Sequence, residues 1–154
     1  MMGSGTPSAP CRGMSKNPPD SVTHPAGPWR VIVAEDDRDM REMVASFIAA
    51  DGYEVIQAAD GSELVSRLEA VAAEPFGRAT VAAIVCDIRM PRLDGLDVLA
   101  ALRCARWTTP VILITAFGDE AVHHEAHELG ATDVLDKPFA LETLRQLVRR
   151  IAPR

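Results

Sequence analysis

The sequence predicts an α/β domain in which five parallel strands form one sheet with helices on both faces. Short apolar runs alternate along the chain with amphipathic patterns of helical period, which is typical of consecutive βα units. Several of these runs are apolar throughout, as expected for strands that helices cover on both faces. The 47% hydrophobic content of the 154 residues is sufficient for one such domain with a sizeable core.

The strand predictions rest on apolar runs bounded by turn residues. Residues 31–34, 81–86 and 111–114 are apolar throughout, which indicates central strands. The second and fifth runs are more mixed, which is typical of strands at the edges of a sheet. The order 2-1-3-4-5 has these two strands on the outside. The predicted strands are Arg30–Glu35, Tyr53–Ala58, Thr80–Asp87, Pro110–Thr115 and Thr132–Asp136.

The helix predictions rest on apolar residues spaced three or four apart. Met40, Val44 and Ile48 form one stripe after Asp37, which we interpret as the cap of the first helix. Gly52 supplies a left-handed stop for that helix. The predicted helices begin after Asp37, cover about residues 61–73, 95–104 and 119–129, and begin again near Ala140.

The first 28 residues differ in composition from the rest of the chain. They contain six of the eleven prolines with scattered glycine and serine, which predicts a disordered tail at 1–28 and a folded domain at 29–154. The tail has no apolar stretch long enough for a signal sequence or a membrane span. The three cysteines are an odd number without C-x-x-C spacing. We therefore expect a reduced, cytoplasmic protein that does not associate with membranes.

The charge balance argues against nucleic-acid binding. The formal net charge is −6 at pH 7, which disfavours contact with phosphate backbones. Arg145, Arg149 and Arg150 are interpreted as cations that stabilise the end of the last helix. The chain ends at Arg154, directly after Pro153 terminates that helix, so we expect no further output domain and no direct DNA binding.

Charged and hydroxyl side chains stand where four of the predicted strands end. In an open α/β sheet, ligands bind outside the carboxyl ends of the strands, at the point where the strand order reverses. For the order 2-1-3-4-5 this point lies between strands one and three. The sequence therefore predicts one crevice that contains Glu35, Asp36 and Asp87, with Thr115 and Lys137 beside them.

This set of side chains indicates phosphoryl chemistry. Three carboxylates within about 5 Å repel one another by several kcal/mol per pair, so the cluster predicts a bound cation. Every candidate ligand is an oxygen, which favours Mg²⁺. Lys137 adds a positive charge for an anion, and Thr115 adds a hydroxyl donor. The pattern suits a phosphoryl group that is transferred to Asp87 as the nucleophile.

Four motifs in this order resemble the receiver domain of two-component response regulators of the stand-alone, single-domain type. The resemblance covers about residues 29–154, and each motif follows its own predicted strand. It implies a flavodoxin-like receiver fold with strand order 2-1-3-4-5. The motifs are Val33-Ala34-Glu35-Asp36-Asp37, Asp87-Ile88-Arg89-Met90-Pro91 with Asp94-Gly95, Ile114-Thr115-Ala116 and Asp136-Lys137-Pro138-Phe139.

The resemblance implies a role for each matching residue. Asp87 corresponds to the phosphoacceptor, which takes a phosphoryl group from a phosphohistidine of a sensor kinase or phosphotransfer protein. Thr115 and Lys137 correspond to the switch hydroxyl and the phosphoryl-binding lysine. Such a domain catalyses only its own phosphorylation and dephosphorylation. The implied Mg²⁺ ligands are Asp36 directly, Glu35 through water, Asp87, and the backbone carbonyl of Arg89.

The resemblance also implies an output surface and two departures from the family pattern. A downstream protein partner is expected on the face of helix four, strand five and helix five. The switch aromatic of many receivers corresponds here to Val134. The positions at which receivers tune hydrolysis of the acyl phosphate are Arg89 and Phe117. Neither side chain can accept a proton from water, so we expect slow hydrolysis.

Three alternatives remain open at this point. The chain can be a receiver-like interaction module that is never phosphorylated, although its complete set of acids, Thr115 and Lys137 argues against this. An aspartyl-phosphate phosphohydrolase needs a second carboxylate two residues after the nucleophile, where Arg89 stands. A flavodoxin-like cofactor binder would present amides to its phosphate, whereas Glu35, Asp36 and Asp37 repel one. A metal site formed by His123 and His127 is disfavoured because no third ligand accompanies them.

Overall fold

The computed structural model describes residues 23–24, 27–116 and 118–152. Within them, strands and helices alternate from Arg30 to Ile151. A 3₁₀ turn at Gly77–Thr80 precedes the third main strand, and Thr23–His24 pairs antiparallel with Gly27–Pro28. The main elements are β1 (Arg30–Ala34), α1 (Arg38–Ala49), β2 (Glu54–Ala58), α2 (Gly61–Ala72), β3 (Val81–Asp87), α3 (Gly95–Cys104), β4 (Val111–Thr115), α4 (Glu120–Glu128), β5 (Asp133–Asp136) and α5 (Leu141–Ile151).

The sheet has the predicted order. Its strands run β2-β1-β3-β4-β5, and every neighbouring pair is parallel. β3 is buried at all seven of its residues, as the apolar run predicted, and β2 and β5 are the edge strands. Each predicted strand lies within one residue of the observed bounds. The fold class is therefore confirmed, and the point of strand reversal lies between β1 and β3.

Two separate apolar layers cover the sheet. Side chains alternate between the faces of a strand, so Ile84 packs on one side of β3 and Val85 on the other. The layer with Ile84 includes α2, α3 and Ala126 of α4, and the layer with Val85 includes α1 and α5. Replacing a fully buried Leu or Ile with Ala in such a layer costs about 2–5 kcal/mol. The sheet is thus a firm base for the loops at its carboxyl edge.

Aspartate caps begin four of the five main helices. Each cap side chain accepts a hydrogen bond from the backbone N–H three residues later, at 2.7–3.1 Å. The chain therefore enters these four helices in a defined conformation at each capping residue. α5 begins after Ala140 without a side-chain cap. The capping residues are Asp37, Asp60, Asp94 and Asp119.

The tail prediction falls mainly on residues for which no structure is described. Residues 1–22 and 25–26 lie outside the described residues, so a disordered segment at 1–28 and a domain boundary at 29 stay predictions. Among the described residues, none of the helices combines the length and apolar character that crossing a membrane requires.

Candidate functional site

The three predicted carboxylates meet at the carboxyl edge between β1 and β3. Ala34 pairs with Cys86 in the parallel ladder, which brings the next residues, Glu35 and Asp87, side by side. One carboxylate oxygen from each of Glu35, Asp36 and Asp87 lies within 4.8 Å of the others. Glu35 and Asp87 are only 4% and 3% exposed, whereas Asp36 is exposed. The site therefore combines two buried acids with one at the surface.

Lys137 reaches the same cluster from the end of β5. Its backbone N–H donates to the Thr115 carbonyl at 2.8 Å, and a cis peptide joins Lys137 to Pro138. The Nζ donates to Asp87 Oδ2 at 2.8 Å and to Glu35 Oε1 at 3.0 Å. Burial lowers the pKa of Lys137, but its bonds to Asp87 and Glu35 outweigh burial, and the pKa is raised overall. Lys137 therefore remains a protonated ammonium group in contact with both buried acids.

Glu35 is held at both of its carboxylate oxygens. Oε1 accepts from Lys137, and Oε2 accepts from the backbone N–H of Asp37 at 3.1 Å. The pKa of Glu35 is raised to about 7, and burial is the largest cause. The hydrogen bond from the Asp37 amide lowers the pKa, the neighbouring Asp87 raises it, and the hydrogen bond from Lys137 lowers it. These contacts orient Glu35 from within the protein, whereas the carboxylate of Asp36 is exposed to an incoming cation.

Asp87 is held at both oxygens as well. Oδ1 accepts from the backbone N–H of Arg89 at 3.0 Å, while Oδ2 accepts from Lys137. The loop after β3 packs tightly, because a Cβ at Gly95 would lie 2.7 Å from the Asp87 carbonyl oxygen. The carboxylate thus has a defined orientation. Directly after Asp87 in the chain, Ile88 and Arg89 line an open cleft of about 610 Å³, together with Asp36, Met90, Pro91, Asp94, Leu96, Thr115 and Val122.

Thr115 lines the same cleft as Asp36. It ends β4, is 2% exposed, and follows Ile114, the partner of Asp87 in the ladder. A Cβ at Gly118 would lie 2.6 Å from Thr115 Cγ2, so the loop after β4 presses closely on the threonine. Phe117, which the sequence analysis assigned to hydrolysis, lies outside the described residues.

The histidines of α4 lie apart from the carboxylate cluster. His123 Nε2 lies 2.9 Å from Asp136 Oδ1, next to Lys137, and His124 lies 3.9 Å from Glu128. Among the described residues, Glu35, Asp36 and Asp87 are the cluster of three metal-binding side chains that the geometry assembles. The contact between His123 and Asp136 was not predicted from the sequence, since no motif connects these two positions.

The carboxylate cluster fits a hard divalent cation. All its donors are carboxylate oxygens, and the Lys137 ammonium is the cation within bonding distance of both buried acids. Three carboxylates against one ammonium favour an additional positive charge. Oxygen-only donors of this number suit Mg²⁺, which retains several of its waters. Asp37 is outside this set, because its side chain caps α1 by accepting from Met40.

Curated proteins with related sequences are response regulators. The curated relatives include the response regulator MprA of Mycolicibacterium vanbaalenii, which is 38% identical over 130 residues. That match covers 82% of this chain and 53% of the relative. The response regulator RR06 of Streptococcus pneumoniae is 34% identical over 124 residues, covering 78% and 53%. The chain thus spans about half the length of these relatives.

Solved structures show the same fold. The chemotaxis protein CheY4 of Vibrio cholerae is 30% identical with a TM-score of 0.69, and the match covers 80% of this chain and 98% of that one. The receiver domain of the Francisella response regulator 1452 is 29% identical with a TM-score of 0.70, covering 79% and 94%. The model of the response regulator receiver domain matches residues 31–149. This chain therefore belongs to the response regulator receiver family.

Proposed function

We propose that Asp87 accepts a phosphoryl group in a Mg²⁺-dependent reaction and that this modification carries the signal. The observation that supports this most is the 2.8 Å contact from Lys137 Nζ to Asp87 Oδ2, inside the cluster with Glu35 and Asp36. An ammonium group beside a nucleophilic carboxylate can neutralise charge on the incoming phosphoryl oxygens. A buried ion pair of purely structural origin would not need two further acids beside it.

The proposed donor is a phosphohistidine of a sensor kinase or phosphotransfer protein. A carboxylate oxygen of Asp87 attacks phosphorus, and the P–N bond to the donor imidazole breaks. The imidazole nitrogen leaves with the electron pair of that bond and takes up a proton, while Asp87 becomes an acyl phosphate. Lys137 donates to the phosphoryl oxygens. Thr115, which lines the adjacent cleft, can donate its hydroxyl to the same group.

The proposed ligands of the Mg²⁺ ion are Asp36 and Asp87 directly, Glu35 through water, and the backbone carbonyl of Arg89. The ion, when bound, offsets the negative charge that collects between the carboxylates and the phosphoryl oxygens. Both oxygens of Glu35 accept hydrogen bonds, one from Lys137 and one from the Asp37 amide. The exposed Asp36 provides the direct contact instead.

The proposed output is a change of partner binding rather than turnover of a separate substrate. A downstream protein binds the face formed by α4, β5 and α5, in the cytoplasm. We propose no direct DNA contact by this domain, in keeping with its net charge of −6. Arg89 and Phe117 are proposed to flank the water that hydrolyses the acyl phosphate, and thus to set its lifetime.

Intact-protein mass spectrometry tests the proposed nucleophile. Incubation with a small phosphodonor and Mg²⁺ should add one phosphoryl group to the wild-type chain, and chelation of the metal should prevent the addition. Asp87→Asn keeps the size of the side chain but removes the nucleophilic charge, so it should remain unmodified. Labelling of Asp87→Asn to the wild-type level would show that Asp87 is not the acceptor.

A further inference from the structure

Arg41 of α1 reaches back to the backbone that carries two of the three acids. Its Nη1 donates to the carbonyl oxygen of Glu35 at 2.9 Å, and its Nε donates to Gln57 Oε1 at 3.2 Å. The guanidinium group therefore joins α1, the end of β1 and the edge strand β2. No motif of the sequence analysis includes this contact.

The carbonyl that Arg41 binds lies where the sheet ends. The N–H of Glu35 still donates to Ala58 at 3.1 Å, one residue beyond the paired strands. The chain after Ala58 then turns into α2 at Asp60, and Arg41 supplies the donor to the Glu35 carbonyl. A charge-assisted bond of this kind is about twice as strong as a neutral one.

Fixing this one carbonyl also fixes the residue that follows it. The peptide unit between Glu35 and Asp36 is planar, so holding its oxygen sets the orientation of the Asp36 N–H and of both flanking Cα atoms. The Asp37 cap and its bond to Glu35 hold the next peptide. The exposed carboxylate of Asp36 thus projects from a backbone that is anchored on either side.

We propose that Arg41 is a positioning residue for the cation site, which it serves by holding the peptide plane between Glu35 and Asp36. This inference rests on the proposed Mg²⁺ function and adds to it a residue that touches neither metal nor phosphoryl group. Contacts that orient metal ligands from behind are commonly worth 10–100-fold in metal affinity.

The direction in which Mg²⁺ affinity changes in Arg41→Ala distinguishes a positioning role from a simple effect of charge. Arg41 carries a positive charge close to a site for a cation. Removing that charge would by itself strengthen Mg²⁺ binding. Loss of the anchor would instead weaken it, because the Asp36 backbone gains freedom that binding must remove. A weaker affinity in Arg41→Ala therefore cannot come from the change of charge.

Titration of the full chain with Mg²⁺ provides the test. We expect about tenfold weaker binding in Arg41→Ala. Arg38→Ala is the matched control, because it removes the same charge from the same helix, where the Arg38 side chain is 77% exposed and pairs with Glu42. Arg38→Ala should bind Mg²⁺ as tightly as the wild type or slightly more tightly. Gln57→Ala removes only the second acceptor of Arg41 and should give an intermediate loss.

Two further measurements distinguish positioning from general destabilisation. The phosphorylation rate of Arg41→Ala should return close to the wild-type rate at saturating Mg²⁺, whereas a damaged fold would lower the saturating rate too. Arg41→Lys should recover part of the affinity, since one ammonium can reach the Glu35 carbonyl but cannot hold both acceptors. Wild-type affinity in Arg41→Ala would overturn the role of Arg41 while leaving the proposed function intact. Failure of the wild type itself to bind Mg²⁺ would overturn both.

Discussion

The two sides of Asp87 differ in how extensively they are buried and hydrogen-bonded. On the cation side, which comprises Glu35, Asp36 and α1, the backbone is held by the Asp37 cap and by Arg41, and α1 buries Val44, Ala45 and Ile48. On the switch side, which comprises Thr115, the following loop and α4, the nine-residue helix buries only Ala126 among its described residues.

The side-chain contacts follow the same division. Asp51, at the end of α1, is 6% exposed and binds both Arg145 and Arg149 of α5. On the switch side, the contact between His123 and Asp136 joins side chains that are 31% and 54% exposed. Elements with few buried contacts change arrangement at low free-energy cost. The carboxylates proposed to bind the cation are thus held by many contacts, whereas the surface proposed to signal has few contacts that oppose a change on phosphorylation.

The largest expected effect is loss of the proposed direct cation ligand, Asp36. Asp36→Ala should weaken Mg²⁺ binding by at least about a hundredfold, or ~2.7 kcal/mol, because a carboxylate in contact with a divalent ion is worth several kcal/mol. The titration should include His123→Ala and His127→Ala, which remove side chains from the switch side. Comparable losses in the histidine variants would mean that α4 contributes to metal binding and that the two sides are not separate.

The next effect concerns the lifetime of the acyl phosphate. Arg89 and Phe117 cannot accept a proton from the attacking water, so the double variant Arg89→Asn, Phe117→Glu should dephosphorylate about tenfold faster, equal to ~1.4 kcal/mol of barrier. Decay of the phosphorylated protein by mass spectrometry measures it. Each single variant assigns the effect to one of the two positions. Decay at the wild-type rate or slower in the double variant would show that these positions do not control the water.

A smaller effect should appear in the pH dependence of stability. Hydrogen bonds from Arg145 hold the pKa of Asp51 below its ordinary value of 3.8, against the opposing effect of burial, and Arg149 adds to the shift. The stabilisation is therefore fully present above about pH 4 and is lost as the pH falls through the lower folded value. Asp51→Asn should lower the thermal midpoint by about 4 °C at neutral pH, a modest value for a solvent-screened pair.

Repeating the measurement at lower pH provides the control for the ion pairs of Asp51. The difference in midpoint between the wild type and Asp51→Asn should shrink as the pH falls below 3.8 and through the lower pKa of folded Asp51, since protonation then removes the charge of the wild-type carboxylate. Arg38→Ala, which breaks an exposed pair on the outside of α1, should change the midpoint little at any pH. A difference that grows on acidification would contradict the anchoring role of Asp51.

The smallest effect is the response of the switch side to phosphorylation. A stable phosphoryl mimic should draw Thr115 toward the added oxygens and alter amide exchange at residues 115–125 by about fivefold, or ~1 kcal/mol. β5 should change less, because Val134 is a core residue at 7% exposure and provides no aromatic ring to reorient. If amide exchange changed only in α1 and not in α4, the cation side rather than the switch side would be the one that responds to phosphorylation.

Much of the site could be predicted because parallel strands deliver their carboxyl ends to one edge. Asp87 follows a run of apolar residues, and Lys137 follows β5, so both were expected in one crevice. Glu35 and Lys137 are 102 residues apart, and parallel strands place both at the same edge of the sheet; the direct contact also needs the long Lys137 side chain, because β3 and β4 lie between β1 and β5. Arg41 and His123 escaped prediction for a physical reason. A side chain that binds a backbone carbonyl or an exposed carboxylate needs no particular spacing along the chain.

The sequence by itself determined the fold class, the strand order at the edges and the identity of the charged groups, because apolar periodicity and strand-end chemistry are local properties. Only the tertiary structure decided which hydrogen-bond donor each carboxylate oxygen accepts from. It directed both oxygens of Glu35 to Lys137 and the Asp37 amide. These outcomes depend on backbone direction after β1, which hydrogen bonds from α1 and β2 set together.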